Sequence, residues 1–245
     1  MRNIILLLAL AATLIVLTNL SALMADWHYV VTGEPGEVLY ATGFDDRLDD
    51  WERYDGRLSA QMADSALRID VGASQSLPFS TSRFYFGDFD LTVRARPLAG
   101  PLDNGYGVIF RAQDSRNYYV FLISSDGYYQ VRRALDGQPK VLSDWIPSTL
   151  IVQGLDADNE LRVVAQGETF QFFVNGQALE LCIPDDPDAV STYADQCIQG
   201  QMLPELVDDA IDRGQIGVIA QALDEPGVAV EFDNVRVFSP EASGG

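Results

Sequence analysis

A strand pattern repeated along most of the chain, broken by turns of explicit chemistry, constrains this sequence more than any other feature. Phe89, Leu91, Val93 and Ala95 alternate with Asp90, Thr92, Arg94 and Arg96, so an extended segment here has one apolar and one wetted face. Phe170, Phe172 and Val174 repeat the alternation. Strand-like runs recur at Ala66–Val71, Gly105–Ala112, Asn117–Ser124, Tyr128–Arg133, Thr149–Gln153, Leu161–Ala165, Gln215–Gln221 and Val228–Phe238. Asp126-Gly127, Asp136-Gly137, Gln166-Gly167 and Asn175-Gly176 separate several of them, and such pairs suit the positive φ of tight hairpins. Many short strands, hairpin turns and little helical periodicity predict an all-β, two-sheet antiparallel sandwich. In the last run Val228, Val230 and Phe232 share one parity and Val235 and Val237 the other, which predicts a bulge near Asp233-Asn234.

One stretch departs from the pattern. Pro184 to Gly214 carries Asp185, Asp186 and Asp188 and a short helix candidate at Leu203–Asp212, and it reads as an insertion on one rim, at about 182–214. Cys182 and Cys197 are the only cysteines. In an oxidising compartment they are expected to pair, stabilising the fold by about 3 kcal/mol in the chain-entropy picture; two buried free thiols are the alternative.

The N-terminus sets the compartment. Arg2 precedes an apolar run, Ile4–Leu17, and a small-residue stretch, Ser21–Ala25. This reads as a signal peptide cleaved after Ala25 or as a retained apolar helical anchor, and Leu23 weakens the cleavage reading. Either way the chain from Asp26 onward is extracytoplasmic. The expected layout is the targeting segment at 1–25, a stalk at 26–36, one domain at 37–240 and a polar tail at 241–245; 245 residues suit one large β domain.

Charge and composition remove whole classes of function. Lys+Arg number 16 against 36 Asp+Glu, a net charge of −20. Nucleic acid, which needs clustered cations, is excluded as a partner. An anionic membrane surface is disfavoured, leaving membrane contact to the N-terminal segment alone, whereas calcium and neutral sugars remain compatible. His28 is the sole histidine and lies beside the targeting segment, so neither a Ser-His-Asp triad nor a multi-histidine zinc site can form in the domain. Lys140 is the sole lysine and lacks a glycine-rich phosphate loop. Paired carboxylates are the remaining catalytic option, but Glu160, Glu168, Glu180 and Glu231 are scattered and read as solvated rim residues.

A family resemblance emerges from the order of several short motifs. They are Gly43-Phe44-Asp45-Asp46 with Trp51 and Gly56-Arg57-Leu58-Ser59, then Gly87-Asp88-Phe89-Asp90-Leu91, Asn104-Gly105-Tyr106-Gly107-Val108-Ile109-Phe110-Arg111, Phe173-Val174-Asn175-Gly176, Gly214-Gln215-Ile216-Gly217-Val218 and Val230-Glu231-Phe232-Asp233-Asn234-Val235-Arg236-Val237. Across residues 38–239 the chain resembles the concanavalin A-like, laminin-G-like jelly rolls, most closely the 3-keto-disaccharide hydrolase type. The resemblance implies a jelly roll with sugar recognition on a concave sheet, and frequently a structural calcium ion. Matching positions for that ion are Asp45 or Asp46 with Asp233. The Glu-x-Asp-x-x-Glu strand motif of laminarinase-type relatives is absent from this sequence.

Tyr106, Tyr118, Tyr119, Tyr128, Tyr129 and Arg111 crowd three consecutive strands. Tyrosine can stack on a sugar ring and arginine supplies several donors. Alternation puts Arg111 on the face opposite Phe110 and allows one tyrosine of each pair into a groove; Arg111, Tyr119 and Tyr129 are the carbohydrate-binding candidates. Trp51 reads as core. The expected function is an exported or anchored carbohydrate-binding or adhesion module whose partner is a glycan. The alternatives are a hydrolase of 3-keto-glycosides and a structural ectodomain that binds protein through the insertion.

Overall fold

The computed structural model describes residues 28–45, 49–186 and 191–241. The apolar N-terminal segment, Asp46 and the end of the tail fall outside them. The chain divides into two units, residues 1–30 and 31–245, and the second carries the sandwich.

All regular structure among the described residues is β. One sheet places Phe79–Phe86, Gly214–Ala220, Gly105–Asp114, Asn117–Ser124, Tyr128–Leu135 and Gln138–Pro147 side by side in that order. The second orders Thr169–Val174, Asn159–Gln166, Phe89–Ala99, Val228–Phe238, Ala66–Val71 and Leu58–Ala63. Val38–Thr42 also pairs with Val228–Phe238. Leu58–Ala63, Phe79–Phe86 and Gln138–Pro147 lack a clean apolar alternation and lie outside the expected runs. Conversely, Thr149–Gln153 is not a strand but a loop that buries Ile151. At Asp136-Gly137 the φ angles are 50° and 77°, and at Asn175-Gly176 they are 51° and 76°, the double positive φ of a tight hairpin. The expected bulge is present: the register with Phe89–Ala99 shifts between Asp233 and Arg236, and Asn234 has φ 50°.

The insertion is stapled, not helical. Cys182 and Cys197 form a disulfide across a 15-residue separation, with Cα atoms 5.6 Å apart. Leu181–Pro184 pairs with Gly200–Leu203, and Thr192–Tyr193 with Gln196–Cys197. The helix expected at Leu203–Asp212 does not form. Leu206 pairs with Phe170 instead, and both Leu206 and Ile211 are buried. Five positions apart, the two would point about 140° away from each other on a helix; the extended chain lays both against the sandwich.

The core lies between the sheets. Alternate residues of each strand enter it, among them Phe89, Leu91 and Val93 from one sheet and Tyr119, Phe121 and Ile123 from the other. At one end Phe110 stacks on Tyr119 at 5.4 Å and meets Phe170 at 5.6 Å. Here the strand Gly105–Asp114 carries an extra residue: Ile109 pairs with Gly217 and Ala112 with Gln215, so Phe110 and Arg111 together oppose Ile216. Arg111 takes φ 47°, a left-handed conformation that costs a non-glycine residue roughly 1–3 kcal/mol. Gly214 makes room for it, since a Cβ there would lie 2.2 Å from the Arg111 carbonyl carbon.

The bulge turns Arg111 inward, with its guanidinium carbon 4.7 Å from the centre of the Phe170 ring. It donates to the carbonyls of Ile211 at 2.9 Å, Gly167 at 2.7 Å and Gly87 at 3.2 and 3.3 Å. One side chain thus ties together the turn that joins the two sheets, a hairpin turn of the second sheet and the last part of the insertion. Arg111→Ala strands these acceptors and is expected to cost about 3–5 kcal/mol by urea denaturation; a change under about 0.5 kcal/mol, the range of ordinary surface substitutions, would contradict the pinning role. Cys182→Ser with Cys197→Ser is expected to cost about 2–4 kcal/mol. Alkylation of the native, non-reduced protein should find no free thiol.

Candidate functional site

The structure moves the expected groove residues inside. Arg111 is 1% exposed and its donors are taken by backbone carbonyls. Tyr119 is buried and donates to Asp208, which also accepts from Arg133 at 2.6 Å. Burial, then Asp208, raises the Tyr119 pKa. Tyr129 is buried with its hydroxyl donated to the Glu180 carbonyl, and burial pushes its pKa up to about 12. None of the three faces a groove. Alternation separated the members of each tyrosine pair as expected, but the inner members are Tyr119 and Tyr129, and the bulge carries Arg111 in with them.

The opposite parity forms a second surface on the face of the first sheet that points away from the other sheet. Ile109, Ala112, Val120, Leu122 and Ile219 make an apolar cluster separate from the core, with Leu77, Phe79, Tyr118 and Trp145 packed half-buried on it. The Phe79 and Tyr118 rings lie 5.9 Å apart. Polar side chains cross this floor. Gln130 donates from Nε2 to Asp144 Oδ1 at 2.8 Å, and the Trp145 backbone N–H donates to the same oxygen at 2.8 Å. Arg132, two residues from Gln130 and therefore on the same face, reaches Gln221 Oε1 at 3.4 Å. Gly105 makes this convergence possible: a Cβ there would sit 3.1 Å from Gln221 Oε1 and 3.2 Å from the Trp145 ring.

Two buried polar atoms of this group lack a protein partner, Gln130 Oε1 and Arg132 Nε. Burial also lowers the Arg132 pKa, against the pull of Tyr118 and Asp144. Unpaired buried donors and acceptors cost free energy and mark places where a ligand or water completes the set.

The apolar floor continues into a groove at the first sheet's edge. A cavity of about 410 Å³ includes Leu77, Phe79 and Ala112 from the floor, together with Tyr54 and Asp114. A neighbouring cavity of about 550 Å³ holds Arg53, Gln61 and Arg83, and the two share Glu52, Thr81 and Gln215. Trp51 borders the larger one but is 2% exposed, packed edge-on against Phe44 and donating to the Tyr40 hydroxyl at 2.8 Å. It is a core residue.

The far face of the second sheet is different. Four of its cations are paired: Arg94 with Asp233, Arg162 with Asp90, Arg68 with Asp70 and Arg96 with Asp156. This bears on the expected calcium ion. Asp233 is clasped by Arg94 through both carboxylate oxygens, so a guanidinium already neutralises the acid that the ion would need. Asp45 is exposed, and no cluster of three or more His, Cys, Asp or Glu forms among the described residues. Asp45 and Asp233 do not by themselves make up a calcium site, and Asp46 lies outside the described residues.

Sequence reading passed over Gln130, Arg132, Asp144, Trp145 and Gln221. The signal was present in the parity of Tyr128, Gln130 and Arg132, opposite to Tyr129; what was missing was which parity met the core.

No protein-family model and no curated protein matches the sequence. Solved structures do. The chain is similar to the carbohydrate-binding module CBM66 from Bacillus subtilis, with 14% identity, a TM-score of 0.55, and 79% of this chain and 98% of that one covered. It is similar to a Bacillus subtilis protein of unknown function with a galectin-like fold, at 13% identity and a TM-score of 0.57, covering 84% and 97%. A Bacillus licheniformis β-glucanase matches at 11% identity and a TM-score of 0.53, covering 83% and 99%. At such identities the likeness shows the fold alone: the described domain is a jelly-roll sandwich of the galectin-like and concanavalin-like kind.

Proposed function

We propose that the domain binds carbohydrate on the outer face of its first sheet. The observation that carries this reading is the group formed by Tyr118, Gln130, Arg132, Asp144, Trp145 and Gln221, in which aromatic rings and polar atoms without protein partners lie on one apolar floor. Aromatic faces take the C–H surface of a sugar, and amides, carboxylates and guanidinium groups take its hydroxyls. The similarity to a carbohydrate-binding module and to a β-glucanase supports the same class of ligand. Binding without turnover is the form we favour, because the paired-carboxylate strand motif is absent from the sequence. The reading includes export: the Cys182–Cys197 disulfide and the apolar N-terminus both fit an extracytoplasmic compartment.

The experiment is a glycan array probed with the full chain, followed by titration of the best ligand. Trp145→Ala and Gln130→Ala should each weaken binding about tenfold or more, the loss of roughly 1.4 kcal/mol. Arg162→Ala, on the far face of the second sheet, should leave affinity unchanged. Wild-type affinity in both outer-face variants would refute the site.

A further inference from the structure

Resting on that reading, we infer that the sugar recognised on the outer face carries a carboxylate, and that Arg132 receives it. The inference starts from how this chain treats its other covered arginines. Arg111 has Asp88 at 3.6 Å and Arg133 has Asp208 at 2.5 Å. Arg132 is also largely covered, yet among the described residues it has no carboxylate within the 4.0 Å of an ion pair. In a chain with 36 acidic residues against 16 basic ones, a covered cation without a partner is not explained by a shortage of acids.

The nearest candidate acid is held off. Asp144 Oδ1 accepts from Gln130 Nε2 and from the Trp145 N–H, both at 2.8 Å, which fixes the carboxylate on its own strand and out of ion-pair contact with the guanidinium. The strand neighbours opposite Arg132 are Val120 and Val141, which offer no hydrogen bond from their side chains. The single side-chain acceptor it reaches is neutral, Gln221 at 3.4 Å, and Nε has none. Desolvation without a counter-charge is costly, and a planar guanidinium matches a carboxylate through two parallel bonds. A neutral hydroxyl would leave the charge uncompensated. The chain's net charge opposes anions at long range, but that repulsion is screened beyond about 8 Å at physiological salt. Selection must then act at contact, through Arg132 on the face that also carries Tyr118 and Trp145.

The test uses the full chain and an array of uronate-containing oligosaccharides printed beside their carboxyl-reduced counterparts and neutral glycans. Binding should favour the uronate member of a matched pair by about ten- to a hundredfold, as expected for losing a charge-assisted bond pair. Arg132→Gln should abolish that preference. The matched pairs are read on the wild-type protein, so the outcome does not depend on the variant folding. Equal affinity for both members of every pair, with Trp145→Ala still weakening binding, overturns the carboxylate and leaves the outer-face reading standing. Binding insensitive to Trp145→Ala, or no glycan bound at all, overturns both.

Discussion

The arrangement of this sandwich depends on a buried arginine in a left-handed bulge. Arg111 spends backbone strain to turn inward, and the return is a set of hydrogen bonds to Gly87, Gly167 and Ile211 that no apolar residue could make. Those carbonyls belong to turns and a loop, where backbone groups lack sheet partners and burial would otherwise leave them unpaired. The aromatic cluster of Phe110, Tyr119 and Phe170 fills the space around the guanidinium. Polar satisfaction and ring packing are therefore one device at this end of the core, and a change to either disturbs both.

The insertion is fastened by the same logic. Tyr119 and Arg133 grip Asp208, Tyr129 grips the Glu180 carbonyl, and Ser143 accepts from the Cys182 N–H at 3.1 Å. The disulfide closes the loop between two of these anchors. Strand residues that sequence patterning would aim at a ligand are occupied instead in holding this segment across the open end of the core.

Once those groups are committed inward, the two outward faces of the sandwich part ways. The second sheet presents a ladder of four Arg–Asp pairs, and such exposed pairs contribute little stability. The first sheet presents a second apolar cluster under half-buried rings, with an amide oxygen and a guanidinium nitrogen left unsatisfied. A surface of the first kind suits solubility. One of the second kind carries an energetic cost in the free protein that a ligand would relieve.

Alternation and turn chemistry determined the all-β class, the hairpins at Asp136-Gly137 and Asn175-Gly176 and the phase slip at Asp233-Asn234, because each is a local property of a few adjacent residues; the Cys182–Cys197 pairing was expected from the export signal and the presence of only two cysteines. The helix expected near Leu203–Asp212 failed for a non-local reason: Leu206 and Ile211 are both claimed by the sandwich, and only an extended chain delivers both. The site was half legible. Parity correctly split Tyr118 from Tyr119 and Tyr128 from Tyr129, yet a period of two carries no label for inside and outside. That label came from the second sheet, which buries Tyr119 and Tyr129, and from the extra residue at Phe110-Arg111, which breaks the period and takes Arg111 with them. The sequence by itself determined which residues travel together; only the tertiary structure decided which set meets solvent, because that depends on where a distant strand packs.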